Sequence, residues 1–333
     1  MTPAPGDPLP VRCHVVTGKG GTGKTTVAAA LALSLAADGR HVLLVETEGR
    51  QGIAQLFDTP PLPYEERRVA VARGGGEVKA LAIDVEAAFL EYLDMFYNLK
   101  RAGRALRKMG AIDFATAIAP GLRDVLLTGK IKEAVTRRHQ GRYVYDAIVV
   151  DAPPTGRITR FLNVTGEVAG LARSGPIKSQ SDGVMAVLRS PQTAVHVVTL
   201  LEDMPVQETA DAITELTAAG LPVGSVVVNM ATEPLLPAAS ISRTAEGRLT
   251  GADLLPALTA AGVHDADAVA DGLAAEAVEH AQRWVAQDAL RGDVEALGRP
   301  VVELPLSTSP IDLGCLFELA ERLEGHLQTE AAA

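Results

Sequence analysis

Aromatic residues and cysteines are scarce in this chain of 333 residues. Phe, Trp and Tyr make up 4% of the sequence and hydrophobic residues as a whole 47%, so the core must consist mainly of Ala, Val, Leu and Ile. Cys13 and Cys315 lie far apart and provide neither a disulfide framework nor the spacing of a metal site. Isolated thiols of this kind suit a reducing compartment, and we expect the protein to be cytoplasmic.

Basic charge and long apolar runs are lacking as well. The formal net charge is −10, which argues against nucleic acid as the main partner because phosphate backbones select basic surfaces. No segment approaches the roughly 18 uninterrupted apolar residues of a membrane-spanning helix, so we expect no integral membrane segment. Residues 1–10 are rich in proline and have no apolar centre, which predicts a flexible N-terminus rather than a signal peptide or anchor.

Apolar runs without polar alternation recur along the chain, separated by helical patterns. Runs of this kind are typical of strands that are covered on both faces of a parallel sheet. They predict an α/β fold with a doubly wound, mostly parallel sheet. The expected strands cover residues 12–17, 41–47, 78–84, 145–151, 194–200, 223–229 and 300–305.

Longer stretches interrupt this alternation of strands and helices. Residues 85–139 have a helical pattern, and residues 160–190 are rich in glycine, which is typical of loops or short helices. We predict that the two stretches form a helical subdomain inserted into the fold. A third helical block, about residues 251–298, is expected to pack on the sheet.

The segment 18–26 reads GKGGTGKTT and satisfies the phosphate-loop pattern G-x-x-x-x-G-K-[ST]. A predicted strand precedes it and a predicted helix follows, so loop N–H groups and the positive helix N-terminus can hold phosphate oxygens. We expect ATP as the ligand, with Lys24 reaching the β- and γ-phosphates and the Thr25 hydroxyl taking one position on Mg²⁺. The predicted nucleotide-binding residues of this loop are Gly18, Gly20, Gly21, Thr22, Gly23, Lys24, Thr25 and Thr26.

Carboxylates follow two of the predicted strands. Asp151 ends an apolar strand, the usual place of a carboxylate that holds Mg²⁺, and the loop after it can sense the γ-phosphate. Glu46 and Glu48 lie where the second strand ends, close to the phosphates in a doubly wound sheet. A carboxylate there can orient the attacking water; the alternative is that one or both glutamates are solvated loop residues.

These motifs together resemble the ArsA-type ATPases, a family that comprises the arsenite-pump ATPase and the ATPases that deliver tail-anchored membrane proteins. The loop 18–26 resembles the deviant Walker A motif KGGxGK[ST], which has an additional lysine after its first glycine. Residues 151–160, DAPPTGRITR, resemble D-[TS]-A-P-T-G-H-T-L-R, and residues 46–51, ETEGRQ, occupy the position of S-T-D-P-A-H. Asn229, and Pro305 with Leu306, match an asparagine after a Val-rich strand and a Pro-Leu near the C-terminus.

The resemblance implies a P-loop ATPase that changes shape with its nucleotide, as a homodimer or as a heterodimer with a paralogous ATPase. It implies that Lys19 crosses the dimer interface to the partner's nucleotide, and that Glu48 replaces a water-orienting aspartate. The longer glutamate moves the carboxylate by about 1.5 Å, and shifts near 1 Å can cost roughly a hundredfold in rate. The family histidine before T-L-R is Arg157 in this chain, which puts the usual coupling to the helical subdomain in doubt.

The remaining site residues also follow from the resemblance. Thr25 and Asp151 would support Mg²⁺, and Asn229 and Pro305 would contact the nucleotide at its base. Residues 11–330 would then form a single ATPase domain with the helical insert inside it.

The sequence contains two candidate partner surfaces, and each has an alternative explanation. The apolar side of the insert could line a groove for a hydrophobic client or membrane protein, or serve ordinary packing against the core; it comprises Phe89, Leu93, Phe96, Met109 and Phe114. A neighbouring basic cluster could contact acidic lipid or an acidic partner, or form a solvated helix face. Its residues are Lys100, Arg101, Arg104, Arg107 and Lys108.

Missing motifs narrow the function further. The clustered thiolates of arsenite binding cannot come from Cys13 and Cys315, and the sequence has no C-x-x-C for a zinc clasp. The acidic segment 316–327 disfavours a surface-organising ATPase that would need a basic amphipathic helix. The main alternative to an active ATPase is an ATP-binding scaffold, in a complex with a paralogous sibling, that hydrolyses little.

Overall fold

The computed structural model of the protein describes residues 9–97, 120–163 and 176–330. The first half of the fold consists of β1 (Cys13–Gly18), α1 (Lys24–Leu35), β2 (His41–Glu46), α2 (Gly52–Leu56), β3 (Arg67–Val71), β4 (Glu77–Ala82), α3 (Val85–Tyr97), α4 (Pro120–Thr136), β5 (Arg138–His139), β6 (Arg142–Tyr143) and β7 (Ala147–Asp151). The second half consists of α5 (Thr155–Leu162), α6 (Pro176–Leu188), β8 (Thr193–Thr199), α7 (Asp203–Ala218), β9 (Val223–Ala231), α8 (Ala238–Ala245), α9 (Gly251–Ala260), α10 (Ala266–Glu295), β10 (Val301–Pro305) and α11 (Leu313–Glu330).

Eight strands form one sheet in the order β10-β9-β8-β1-β7-β2-β4-β3. All neighbours pair in parallel except β3, which runs antiparallel to β4 at one edge. β5 and β6 form a separate two-stranded hairpin. Each predicted strand is present, so the predicted α/β fold with a mostly parallel sheet is confirmed.

The sheet is buried on both faces. Adjacent residues of β1 point to opposite sides, so Val15 belongs to one hydrophobic cluster and Val16 to the other, and neither is exposed. Helices α3 to α7 cover the first face, while α1, α2 and α11 cover the second. α1 is buried almost throughout because its residues 27–35 are alanines, aliphatics and one serine. This arrangement explains why a core with few aromatic residues can be large.

The predicted helical insert lies partly outside the described residues. α3, α4 and α6 occur within it, and Phe89 and Leu93 of α3 pack against the core. The basic cluster at residues 100–108, together with Met109 and Phe114, falls outside the described ranges, as does the side chain of Phe96. Of the residues predicted to line a client groove, the structure therefore describes the side chains of Phe89 and Leu93, and both pack against the core.

The third helical block differs from the expectation that it packs on the sheet. α8 and α9 pack along α10, and the buried residues of α10 before its last turns are all alanines. Only the C-terminal part of α10 reaches the core, where Val294 is completely buried and Arg291 Nε donates to Glu303 Oε1 of β10 at 2.8 Å. Within residues 9–97, 120–163 and 176–330, no helix has both the length and the apolar character needed to cross a membrane.

Candidate functional site

The phosphate loop connects β1 to α1 at the carboxyl edge of the sheet, next to β8 and β9. The Thr22 hydroxyl donates to the Lys19 carbonyl at 2.9 Å, and Asn229 Nδ2 of β9 donates to the Thr22 carbonyl at 2.9 Å. Gly23 has φ +81°, and a Cβ at this position would lie 2.3 Å from Asn229 Nδ2. The loop therefore needs glycine at residue 23 both for its backbone conformation and for its contact with the sheet.

The first residue of the loop is equally constrained by its neighbour. A Cβ on Gly18 would lie 2.2 Å from the carbonyl oxygen of Val198 on β8. At the other end, α1 begins at Lys24 with no acidic residue in its first turn, so the positive end of the helix is not offset by its own side chains. Gly20, Gly21 and Thr26 lie in this same segment, and a glycine-rich loop at an uncompensated helix start is an arrangement that can accept an anion.

Thr25 and Asp151 are brought together as predicted. The Thr25 hydroxyl donates to Asp151 Oδ2 at 2.8 Å. Asp151 is 9% exposed, and this burial raises the pKa of its carboxyl to about 6, although the Thr25 hydrogen bond and the nearby Lys24 act in the opposite direction. A hydroxyl beside a carboxylate is a set of hard oxygen donors that fits Mg²⁺.

Glu46 and Glu48 occupy different environments. Glu46 is 2% exposed, and its two carboxylate oxygens accept from the backbone N–H groups of Gln51 at 2.5 Å and Ile53 at 3.3 Å. It thereby fixes the start of α2. The carboxylate of Glu48 lies 3.8 Å from Arg157 of α5 and 3.7 Å from Arg50. Glu46 is thus not a solvated loop residue, and Glu48 has cationic partners.

Lys19 is paired within its own chain. Its Nζ lies 2.7 Å from Glu208 Oε1 on α7, and each side chain is about one-third exposed. The second oxygen of Glu208 lies 3.5 Å from the Thr155 hydroxyl at the start of α5. Glu208 was not identified from the sequence, because it belongs to no motif. The one indication is that a carboxylate lies near the start of α7, the helix that follows β8, and β8 pairs with β1.

Asn229 and Pro305 lie on neighbouring strands and have different surroundings. Asn229 is buried, with its amide against the phosphate loop. Pro305 pairs with Ala231 at the end of β10 and lines a cleft of about 830 Å³ together with the loop that follows β10 and the start of α11. It also lines a second cleft of about 300 Å³ that contains Trp284.

Comparison with known proteins agrees with this geometry. The family model described as anion-transporting ATPase matches residues 11–177. The ATPase BagA of Mycobacterium tuberculosis is 59% identical over 314 residues, which cover 94% of this chain and 92% of that protein. The ATPase GET3 of Kluyveromyces lactis is 25% identical over 249 residues, covering 64% of this chain and 70% of that one.

A third similarity is to a protein named for arsenical transport. The arsenical pump-driving ATPase of Escherichia coli is 28% identical over 243 residues, which cover 64% of this chain and 38% of that protein. The family-model match includes the phosphate loop, β7 and the start of α5, where the motifs of the resemblance lie. The chain therefore belongs to the anion-transporting ATPase family, the family of the ArsA-type ATPases.

Proposed function

We propose that this protein is a Mg²⁺-dependent ATPase that works as a nucleotide-switched dimer. The observation that carries the proposal is the 2.8 Å hydrogen bond between Thr25 and Asp151, made directly after a glycine-rich loop and Lys24. It joins two oxygen donors for a divalent cation to a site for phosphate. Membership of an ATPase family supports the same reaction.

Each part of the site has a separate task in this proposal. Loop N–H groups and the N-terminus of α1 bind the β- and γ-phosphates, and the ammonium group of Lys24 neutralises part of their charge. Thr25 and Asp151 would hold Mg²⁺, which when bound neutralises charge that develops on the phosphate oxygens. The hydrogen bond of Asn229 to the Thr22 carbonyl keeps the loop in place on the sheet.

Glu48 orients the attacking water in this proposal. Its carboxylate lies on the loop after β2, and Arg157 at 3.8 Å holds it from the side of α5. In the proposal, Arg157 positions the longer carboxylate of Glu48 where the family has an aspartate. A fixed carboxylate of this kind typically contributes about 10²–10⁴ in rate.

A second subunit supplies Lys19 to the nucleotide of its partner. The proposal leaves a homodimer and a heterodimer with a paralogous ATPase as the two forms, in the cytoplasm. Phe89 and Leu93 pack against the core, so a hydrophobic client would have to bind elsewhere on the helical insert. The support for such a client is the resemblance to ATPases that deliver membrane proteins.

The assignment is tested first by ATP binding to Lys24→Ala. We expect affinity to fall at least about tenfold, since hydrogen bonds to charged groups contribute about 1.5–3 kcal/mol, while circular dichroism shows the fold unchanged. Arg283→Ala removes an exposed cation on α10 and serves as the matched control. Undiminished affinity of a folded Lys24→Ala protein would contradict the phosphate-loop assignment.

An ATP-binding scaffold with little hydrolysis is the second candidate function. The replacement of an aspartate by Glu48, in contact with two arginines, is the observation that favours it. Single-turnover hydrolysis at saturating Mg-ATP distinguishes the two candidates. A wild-type rate that is near zero and unchanged by Glu48→Gln, with tight ATP binding in both proteins, would establish the scaffold.

A further inference from the structure

Lys19 of the phosphate loop forms an ion pair with a carboxylate on another element, α7. Its Nζ makes a 2.7 Å contact with Glu208, which lies on the second turn of α7 and far from the phosphate loop in sequence. The contacts that Thr22, Asn229 and Thr25 make in the loop region are hydrogen bonds that fix backbone or metal-binding groups. Glu208 is therefore the group that determines where the Lys19 ammonium lies.

The same carboxylate also reaches the segment that follows β7. Its second oxygen lies 3.5 Å from the hydroxyl of Thr155, a buried residue at the start of α5. α5 and α7 pack against each other, and Arg157, two residues further along α5, contacts Glu48. One side chain of α7 thus connects the phosphate loop to the element that holds the predicted water-orienting carboxylate.

We infer that Glu208 is a positioning residue that holds Lys19 within its own subunit and releases it when the partner's nucleotide binds. The inference rests on the proposed function, in which Lys19 contacts a phosphate in the partner. A phosphate oxygen and the Glu208 carboxylate compete for one ammonium group, and the more highly charged phosphate wins it. Glu208 then sets how readily ATP brings two subunits together.

The strength of the pair fits a restraint that can be released. An ion pair that is about one-third exposed changes an equilibrium constant by about two- to fivefold after screening by solvent. A dimer releases the pair in both subunits, so removing the Glu208 charge should strengthen ATP-dependent dimerisation by roughly 4- to 25-fold. A much stronger contact would keep Lys19 from its partner.

A double-mutant cycle tests the pair itself. Lys19→Ala, Glu208→Gln and the double variant are unfolded with urea, without nucleotide and with saturating Mg²⁺ and β,γ-imido-ATP. Without nucleotide, we expect the effects of the two substitutions on the unfolding equilibrium constant to be coupled by about two- to fivefold. With Mg²⁺ and β,γ-imido-ATP bound, we expect their effects on the free energy of unfolding to be additive. Additive effects without nucleotide, or coupling that persists with it, would overturn the inference.

Sedimentation of the same proteins tests the consequence for assembly. Glu208→Gln should dimerise with Mg²⁺ and β,γ-imido-ATP at a lower protein concentration than wild type, a gain that a merely structural role would not produce. Glu215→Gln is the matched control, because Glu215 lies on α7 and accepts from Thr159 of α5. Equal or weaker dimerisation of Glu208→Gln would overturn the inference.

A monomeric wild type in that experiment contradicts the dimer of the proposed function instead. It also overturns the release of Lys19 to a partner. The cycle without nucleotide still decides separately whether Glu208 holds Lys19, so the two failures are distinguishable.

Discussion

Gly23 is one of two glycines, with Gly18, at which the phosphate loop closely approaches the sheet. It combines a positive φ with a close approach to the Asn229 amide, so a side chain there meets both backbone strain and a steric clash. Gly21 also has a positive φ, +92°, but no atom lies within 4 Å of the position its Cβ would take. Substitution of Gly21 therefore measures backbone strain alone, whereas substitution of Gly23 measures strain together with a steric clash.

We expect Gly23→Ala to destabilise the protein by about 2–4 kcal/mol and Gly21→Ala by about 1 kcal/mol. The difference arises because only the first substitution must displace Asn229 and its hydrogen bond to Thr22. Urea unfolding without nucleotide measures both values. Equal losses would mean that the loop yields to the added methyl group at residue 23.

Changing Glu48 to glutamine should affect the rate of hydrolysis, whereas changing Glu46 to glutamine should affect the stability of the fold. Glu48→Gln should lower single-turnover hydrolysis by about 10²–10⁴ and leave ATP affinity nearly unchanged. Glu46→Gln should instead lower stability by about 1–3 kcal/mol, because it weakens the hydrogen bonds to Gln51 and Ile53. Rapid-quench hydrolysis and urea unfolding of both variants provide the comparison.

Glu48→Asp tests the reach of the carboxylate separately. Faster turnover would mean that the longer side chain slows the reaction, and slower turnover that the loop and Arg157 have adapted to it. A rate of Glu48→Gln equal to that of wild type would remove Glu48 from the reaction.

At this scale, local patterns predict the contact between Thr25 and Asp151 but not the partners of Lys19 and Glu48. The juxtaposition of Thr25 and Asp151 follows from two motifs whose places in a parallel sheet are known. The partners of Lys19 and Glu48, Glu208 and Arg157, come from helices distant in sequence, and no spacing encodes such a pairing. Site roles that rest on them stay predictions until the variants are measured.

Among the elements, the buried parallel strands are the most predictable. Each is an apolar run, because residues on both faces of the sheet are covered. β3 escapes prediction because it is an edge strand with exposed arginines, a register shift and Ala70 as its buried residue. The predicted single block at 251–298 is two helices, broken where Gly262 and Asp265 take positive φ values.

The C-terminal part of α10 provides a test of how α8, α9 and α10 are attached to the rest of the fold. Arg291 donates to Glu303 at 2.8 Å and to the Thr232 carbonyl at 3.4 Å, and it stacks 5.7 Å from the ring centre of Trp284. Arg291→Ala should lower stability by about 1–3 kcal/mol, because it leaves Glu303 without its cation.

Fluorescence can follow this change directly, since Trp284 is the one tryptophan of the sequence. Its emission should shift to longer wavelength as the ring gains contact with water. Arg283→Ala, at an exposed position of the same helix, should leave both stability and emission unchanged. An unchanged spectrum for Arg291→Ala would show that the stacking does not determine the position of Trp284.

For the whole molecule, the decisive question is whether each site is built from two chains. In the proposed dimer, one nucleotide uses Asp151 of its own chain and Lys19 of the partner. Lys19→Ala and Asp151→Asn should each be inactive, and a mixed dimer of the two variants should contain one complete site. Equimolar mixing should then recover about a quarter of wild-type turnover, since half of the dimers are mixed and each has one working site. No recovery, with mixed dimers detected by a tag on one variant, would place Lys19 in its own site.

The central position of β1 also determines when the nucleotide site can first form during synthesis. β1 is made before its neighbours in the sheet, β7 and β8, so the ribosome must add about 180 residues after β1 before both of its sides are paired. At ordinary elongation rates of about 5–20 residues per second this interval lasts roughly 10–40 s. Until β8 emerges, Gly18 has no Val198 carbonyl to pack against, and the nascent chain exposes an apolar strand that ATP cannot yet stabilise.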